Sequence, residues 1–100
     1  AAHRVRETAE FTALDVTESY IDVLRQRELL AIAQQNTKQH EEILVQIQDG
    51  ASAGRSTQAD VEQTVARLAA ARATEANVRQ SLLNAENNFR RRVGDVPQPD

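Results

Sequence analysis

Every residue that breaks a helix is confined to three places in this chain. Pro97 and Pro99 sit at the far end, Gly50 and Gly54 fall together near the middle, and Gly94 comes just before the prolines. Proline inside a helix removes a backbone donor and clashes with the preceding turn, so the residues before Pro97 carry no such break. Glycine is the usual residue just past a helix C-terminus. The spacing therefore predicts an all-α, long antiparallel coiled-coil hairpin. Helix one covers 3–49, a turn 50–56, helix two 57–93 and a tail 94–100, all as a single hairpin over 1–100.

Composition points the same way. Phe11, Tyr20 and Phe89 are the three aromatics, there is no Trp or Met, and the 40% hydrophobic content is mainly Ala, Leu, Val and Ile. A thick globular core normally relies on large aromatic side chains. Small aliphatic residues instead suit thin, closely packed helices.

The periodicity supplies candidate seams. On helix two, Val61, Val65, Leu68, Arg72, Glu75, Arg79, Leu82, Glu86, Phe89 and Val93 follow 4-3 spacing. A neighbouring stripe holds Ala66, Ala69, Ala73, Ala76, Gln80 and Leu83. Helix one shows one track through Ala9, Ala13, Val16, Tyr20, Val23, Arg27 and Leu30. A shifted track continues through Ala33, Thr37, His40, Leu44 and Ile47. A sustained 3.5-residue repeat implies left-handed supercoiling. Two stripes on one helix imply two packing partners, and a lone hairpin provides one, so the chain is expected to self-associate.

Several function classes are disfavoured. A net charge of −3 gives no basic field for phosphates, so nucleic acid is not expected as a partner. With no cysteine, neither a disulfide framework nor a thiolate metal site can form. His3 and His40 stand far apart with no zinc-helix pattern around them, so no metal is expected, and His40 reads as a structural seam residue. No run of ~20 apolar residues could cross a bilayer as a helix. The first residues lack a continuous apolar segment, so any targeting signal is expected to be removed or to lie elsewhere. Glu41, Glu42 and Asp22 lie on helices that form no pocket to tune their acidity, so no catalytic residue and no cofactor are expected. Arg90-Arg91-Arg92 reads as a solvated helix C-terminus favourable to the dipole.

At the turn, Thr57 with Asp60 three residues on has the pattern of a capping box, with Asp where Glu or Gln is usual. Asp60 also suits the positive end of the helix dipole.

With the hairpin in view, particular stretches become recognisable. Residues 13–25, containing Ser19-Tyr20-Ile21-Asp22-Val23-Leu24, resemble the Ala-Tyr-x-x-Val-Leu helix of TolC-family outer-membrane channel proteins. Gly54-Arg55-Ser56-Thr57-Gln58-Ala59-Asp60-Val61 is similar to that family's periplasmic turn. Ala66-Arg67-Leu68 and Ala70-Ala71-Arg72 resemble its second helix, and Phe89-Arg90-Arg91-Arg92-Val93-Gly94 its exit. The resemblance covers about 13–97.

It implies a Gram-negative outer-membrane protein whose trimer makes a barrel continued by a periplasmic helical tunnel. This chain would be one hairpin of that α-helical barrel, part of a larger protomer, with the membrane reached through parts absent from this chain. It would serve type I protein secretion or multidrug efflux, with Arg25-Gln26-Arg27-Glu28-Leu29-Leu30 leaning towards secretion. A periplasmic adaptor protein and an inner-membrane pump would be its partners. Gly54, Arg55, Ser56 and Thr57 would be tip contacts for the adaptor, and Asp60 would join gate-closing contacts besides capping. A bulky residue at Gly54 or Ser56 is expected to weaken adaptor engagement without unfolding the hairpin.

The sequence departs from the family where a basic residue and an aromatic commonly precede the tip glycine, because Gly50 and Ala51 stand there. Two alternatives share the architecture. An adaptor-type hairpin would carry an Arg–Leu–Ser pattern, and Arg55-Ser56 lacks the spaced leucine. A free-standing coiled-coil scaffold or lipid-binding bundle would gain helicity on liposomes.

Overall fold

A computed structural model describes the backbone of residues 2–96 and the side chains of Arg6, Glu7, Glu10 and residues 12–96. Among these residues there are two helices and no strand: α1, Ala2–Ser52, and α2, Gln58–Gly94. The fold class is all-α, an antiparallel helical hairpin. The helices contribute to two compact units, one joining α1 up to Glu28 with α2 from Gln80, the other comprising Leu29–Arg79. Ala9 of the first expected track lies outside the described side chains.

In the Leu29–Arg79 unit, Ala33, Leu68 and Ala71 are buried, with Thr37 and Thr64 beside them. The Glu41 carboxylate meets the Arg72 guanidinium across the pair at 3.5 Å. In the other unit, Val23, Ala85 and Ser19 are buried. There Asp15 bonds Arg92 at 2.8 Å and Tyr20 faces Phe89, an order of contacts that makes the two segments antiparallel.

The buried register differs from the sequence reading at a third of its described positions, seven of 21. On α1 a covered series runs through Thr12, Val16, Ser19, Val23, Gln26, Leu30, Ala33, Thr37, His40, Leu44, Ile47 and Ala51, with Asp15, Asp22 and Gly50 covered beside it. That is one unbroken 4-3 series with no shift at Leu30. Ala13, Tyr20 and Arg27 of the expected track are exposed on its flank. On α2 a covered series runs through Val61, Thr64, Leu68, Ala71, Glu75, Val78, Leu82, Ala85 and Phe89, with Glu86 of the expected track and Asn88 also partly covered, while Val65, Arg72, Arg79 and Val93 are exposed beside it. Every discarded position but Val93 lies one residue from a covered one.

The physical reason is that small polar residues fill the seam. Thr37 and Thr64 each donate a hydroxyl hydrogen to the carbonyl four residues back, and Ser19 donates to the Val16 carbonyl. A hydroxyl satisfied within its own helix can be buried without a partner across the seam. No described buried side-chain nitrogen or oxygen lacks a hydrogen bond. His40 is half-buried, its Nδ1 2.8 Å from the Asn36 carbonyl, which puts the ring proton on Nδ1. The stripe Ala66, Ala69, Ala73, Ala76, Gln80 and Leu83 is exposed along its whole length.

The intrahelical pairs Glu75–Arg79 and Glu86–Arg90 stand at 3.1 and 3.9 Å. Arg72 turns across the pair to Glu41. Arg91 and Arg92 occupy the last turn of α2, as suits a helix C-terminus.

Candidate functional site: the hairpin tip

α1 continues through Ser52, so Gly50 belongs to its last turn, not to the loop. The reason is in the carbonyls. Gly54 N–H donates to the Ala51 carbonyl at 3.1 Å and Arg55 N–H to the Gly50 carbonyl at 2.7 Å. Those are the paired bonds of a Schellman motif, which satisfies carbonyls that a helix C-terminus otherwise leaves open. The motif needs a left-handed residue at its hinge, and Gly54 has φ of +77°. A second donor, Ser56 N–H, reaches the Gly50 carbonyl at 3.2 Å.

Gly50 is buried, and a Cβ there would stand 2.6 Å from Ser56 Oγ. The turn thus closes over the space left by the missing side chain. Nothing in the sequence pattern marks this pairing, because a glycine and a serine six residues apart carry no periodic signal. It is the functional-site feature that sequence reasoning missed.

Beyond Ser56 the chain enters α2 through a reciprocal cap. Asp60 N–H donates to Thr57 Oγ1 at 3.1 Å, and Thr57 N–H donates to the Asp60 carboxylate at 3.0 Å. This is the expected capping box, and both residues are exposed. The Thr57 N–H, aided by the Thr57 hydroxyl, holds the Asp60 carboxyl below its ordinary range.

The tip residues are brought together as one short, tightly hydrogen-bonded link. Gly54, Arg55 and Thr57 are exposed and Ser56 is half-buried against Gly50. Arg55 is the sole Lys or Arg between Lys38 and Arg67, a stretch holding Glu41, Glu42, Asp49, Asp60 and Glu62. Its backbone is committed to the Schellman motif while its side chain projects from the turn. Bulky replacements at Gly54 or Ser56 would strain the turn locally, Gly54 through its left-handed backbone and Ser56 through its contact with Gly50. A substitution at Arg55 alters the exposed surface alone.

Among the described residues there is no group of three or more His, Asp or Glu side chains able to hold a metal. No helix there is long and apolar enough to cross a membrane.

Residues 1–95 match the outer membrane efflux protein family, and the chain belongs to it. The resemblance to TolC-family proteins is thereby borne out at the level of the family. The family is one of outer-membrane transport channels, not of enzymes. No curated protein and no solved structure gives a match.

Proposed function

We propose that this hairpin forms part of the periplasmic tunnel wall of a trimeric outer-membrane export channel. Its tip docks the periplasmic adaptor of an inner-membrane pump. The observation that carries the reading is the uncovered face of α2. Ala66, Ala69, Ala73 and Ala76 are all exposed in a helix whose opposite face is already buried against α1. Small residues at helical spacing let another helix approach closely, and membership of an outer-membrane channel family supplies such neighbours.

At the tip, Gly54, Arg55, Ser56 and Thr57 form the adaptor contact, held in place by the Schellman motif and the capping box. Asp60 contributes to closure between neighbouring hairpins in addition to its cap. The exported cargo is a secreted protein or a small toxic compound, and the channel itself conducts passively.

Arg55→Glu in the channel tests the docking reading, because it reverses the exposed charge without touching the turn's backbone bonds. Adaptor capture by in-cell cross-linking should fall at least tenfold, with trimer yield unchanged. Full capture with normal export would remove the tip from the mechanism. Measuring protein secretion and drug resistance in the same strain separates the two kinds of cargo.

A further inference from the structure

Tyr20 and Phe89, two of the three aromatics in the chain, meet in the unit built from α1 up to Glu28 and α2 from Gln80. Their ring centroids lie 5.7 Å apart and their planes are tilted by 47°. With the buried Val23 they make the apolar part of an open groove of about 210 Å³, whose polar part is Arg27, Glu86 and Arg90.

The polar groups are unevenly engaged. Arg90 pairs with Glu86 at 3.9 Å and donates to the Asn87 amide oxygen at 3.0 Å, so the Glu86 charge is already answered. Arg27 is exposed and has no ion pair or hydrogen bond among the described residues, and the Tyr20 hydroxyl has no hydrogen bond there either. The groove thus carries one uncompensated positive charge and two unused donors beside an aromatic surface.

Size narrows the class of ligand. At ~30 Å³ per water the space equals about seven waters, the bulk of one aromatic ring with a short polar substituent. Drug-sized compounds instead occupy enclosed pockets of roughly 300–1,000 Å³. A ring laid on Tyr20 and Phe89 would extend an existing aromatic pair, for which centroid separations of about 4.5–7 Å are favoured. A carboxylate is the substituent that answers the free guanidinium, which grips its two oxygens in a fork. The Tyr20 hydroxyl is a further donor on the same groove. An ammonium would meet Arg27 at its own sign.

We propose that this groove binds a small aromatic carboxylate, its ring on Tyr20 and Phe89 and its carboxylate on Arg27. The site is complete within one hairpin and uses no tip residue, so it stands or falls apart from the tunnel-wall and docking readings.

Fluorobenzoate is the probe, titrated into the full chain by fluorine NMR while the amide shifts of the chain map the site. Binding should saturate, with shifts concentrated around Tyr20–Arg27 and Glu86–Arg90. Fluorobenzyl alcohol and fluorobenzylammonium, of similar size, should bind more weakly, in that order. Arg27→Gln should raise the Kd about fivefold, as an exposed charge pair allows, and Arg27→Lys should recover most of the affinity. Tyr20→Ala should weaken binding about as much, whereas Tyr20→Phe, which keeps the ring, should cost no more than about twofold. Both side chains are exposed, so each variant should keep its helicity by circular dichroism. Equal binding of the alcohol or the ammonium would overturn the proposal, as would shifts spread along Ala66–Ala76. Affinity insensitive to Arg27→Gln, or no saturable binding up to the solubility limit, would overturn it as well.

Discussion

Two glycines four residues apart should respond to alanine in opposite directions. At Gly54 the backbone is left-handed, with φ of +77°, and no heavy atom lies within 4 Å of an added Cβ. The cost of Gly54→Ala is thus conformational and not steric, about 1–2 kcal/mol for an L-residue held in that region. The Schellman bonds of Gly54 and Arg55 fix that conformation, so the turn cannot escape by relaxing. At Gly50 the backbone is helical, and alanine gains about 1 kcal/mol in helix propensity over glycine. The opposing contact is with Ser56 Oγ at 2.6 Å, whereas Ser56 Cβ sits at an ordinary 3.5 Å. That hydroxyl holds no hydrogen bond among the described residues and can turn to another rotamer. Gly50→Ala should therefore be neutral or stabilising by up to about 1 kcal/mol. The two variants should differ by roughly 2 kcal/mol, or about 8–16 °C in Tm for a chain of this size. Thermal and urea unfolding followed at 222 nm, at matched protein concentration, measure the difference. Equal stability of the two variants, or a Gly50→Ala variant weaker than Gly54→Ala, would refute the assignment of Gly50 to the helix and Gly54 to the hinge.

Further outcomes follow from the register and the caps. Leu68→Ala should cost about 2–3 kcal/mol as a buried truncation, whereas Val65→Ala on the exposed flank should cost under about 0.5; because Leu68 lies on both tracks, a Val65→Ala cost approaching that of Leu68→Ala would place the seam on the other one. Thr57→Ala should lose about 1 kcal/mol of cap, read from the urea midpoint. Because the Asp60 carboxyl is held below its ordinary value, its contribution is present above about pH 3.9 and lost as pH falls through the folded-state value. The stability gap between wild type and Asp60→Asn should accordingly close in strong acid, and a gap that widens there would contradict the capping geometry. Arg72→Ala should cost less than about 1 kcal/mol, and that cost should vanish in molar salt, because its pair with Glu41 is half-exposed.

The architecture was readable from where helix-breaking residues are missing, and the cap from Thr57 and Asp60 alone. The family resemblance was legible in short runs around Tyr20 and Gly54. A third of the buried register was not. Hydropathy favours Val65 over Thr64 and Tyr20 over Ser19, yet Thr64 and Ser19 are inside. A two-helix seam this thin selects for small cross-section, and a hydroxyl that bonds its own helix carries little polar cost. The closeness of Gly50 to Ser56 was also invisible, since it arises from the path of the turn and not from any repeat. Arg72 could not be assigned to Glu41 from spacing on one helix, because the partner lies 31 residues away in the chain.

The self-contained hydroxyls of Ser19, Thr37 and Thr64 bear on how the hairpin can move. A seam locked by polar bonds from helix to helix resists displacement, since any slip strands a donor or acceptor in a dry environment. Here each of these three groups carries its acceptor with it. Sliding one helix along the other forfeits van der Waals contact and the exposed Glu41–Arg72 and Asp15–Arg92 pairs but leaves none of the three orphaned, so resistance to slip comes from side-chain shape inside the seam and from charge at its rim.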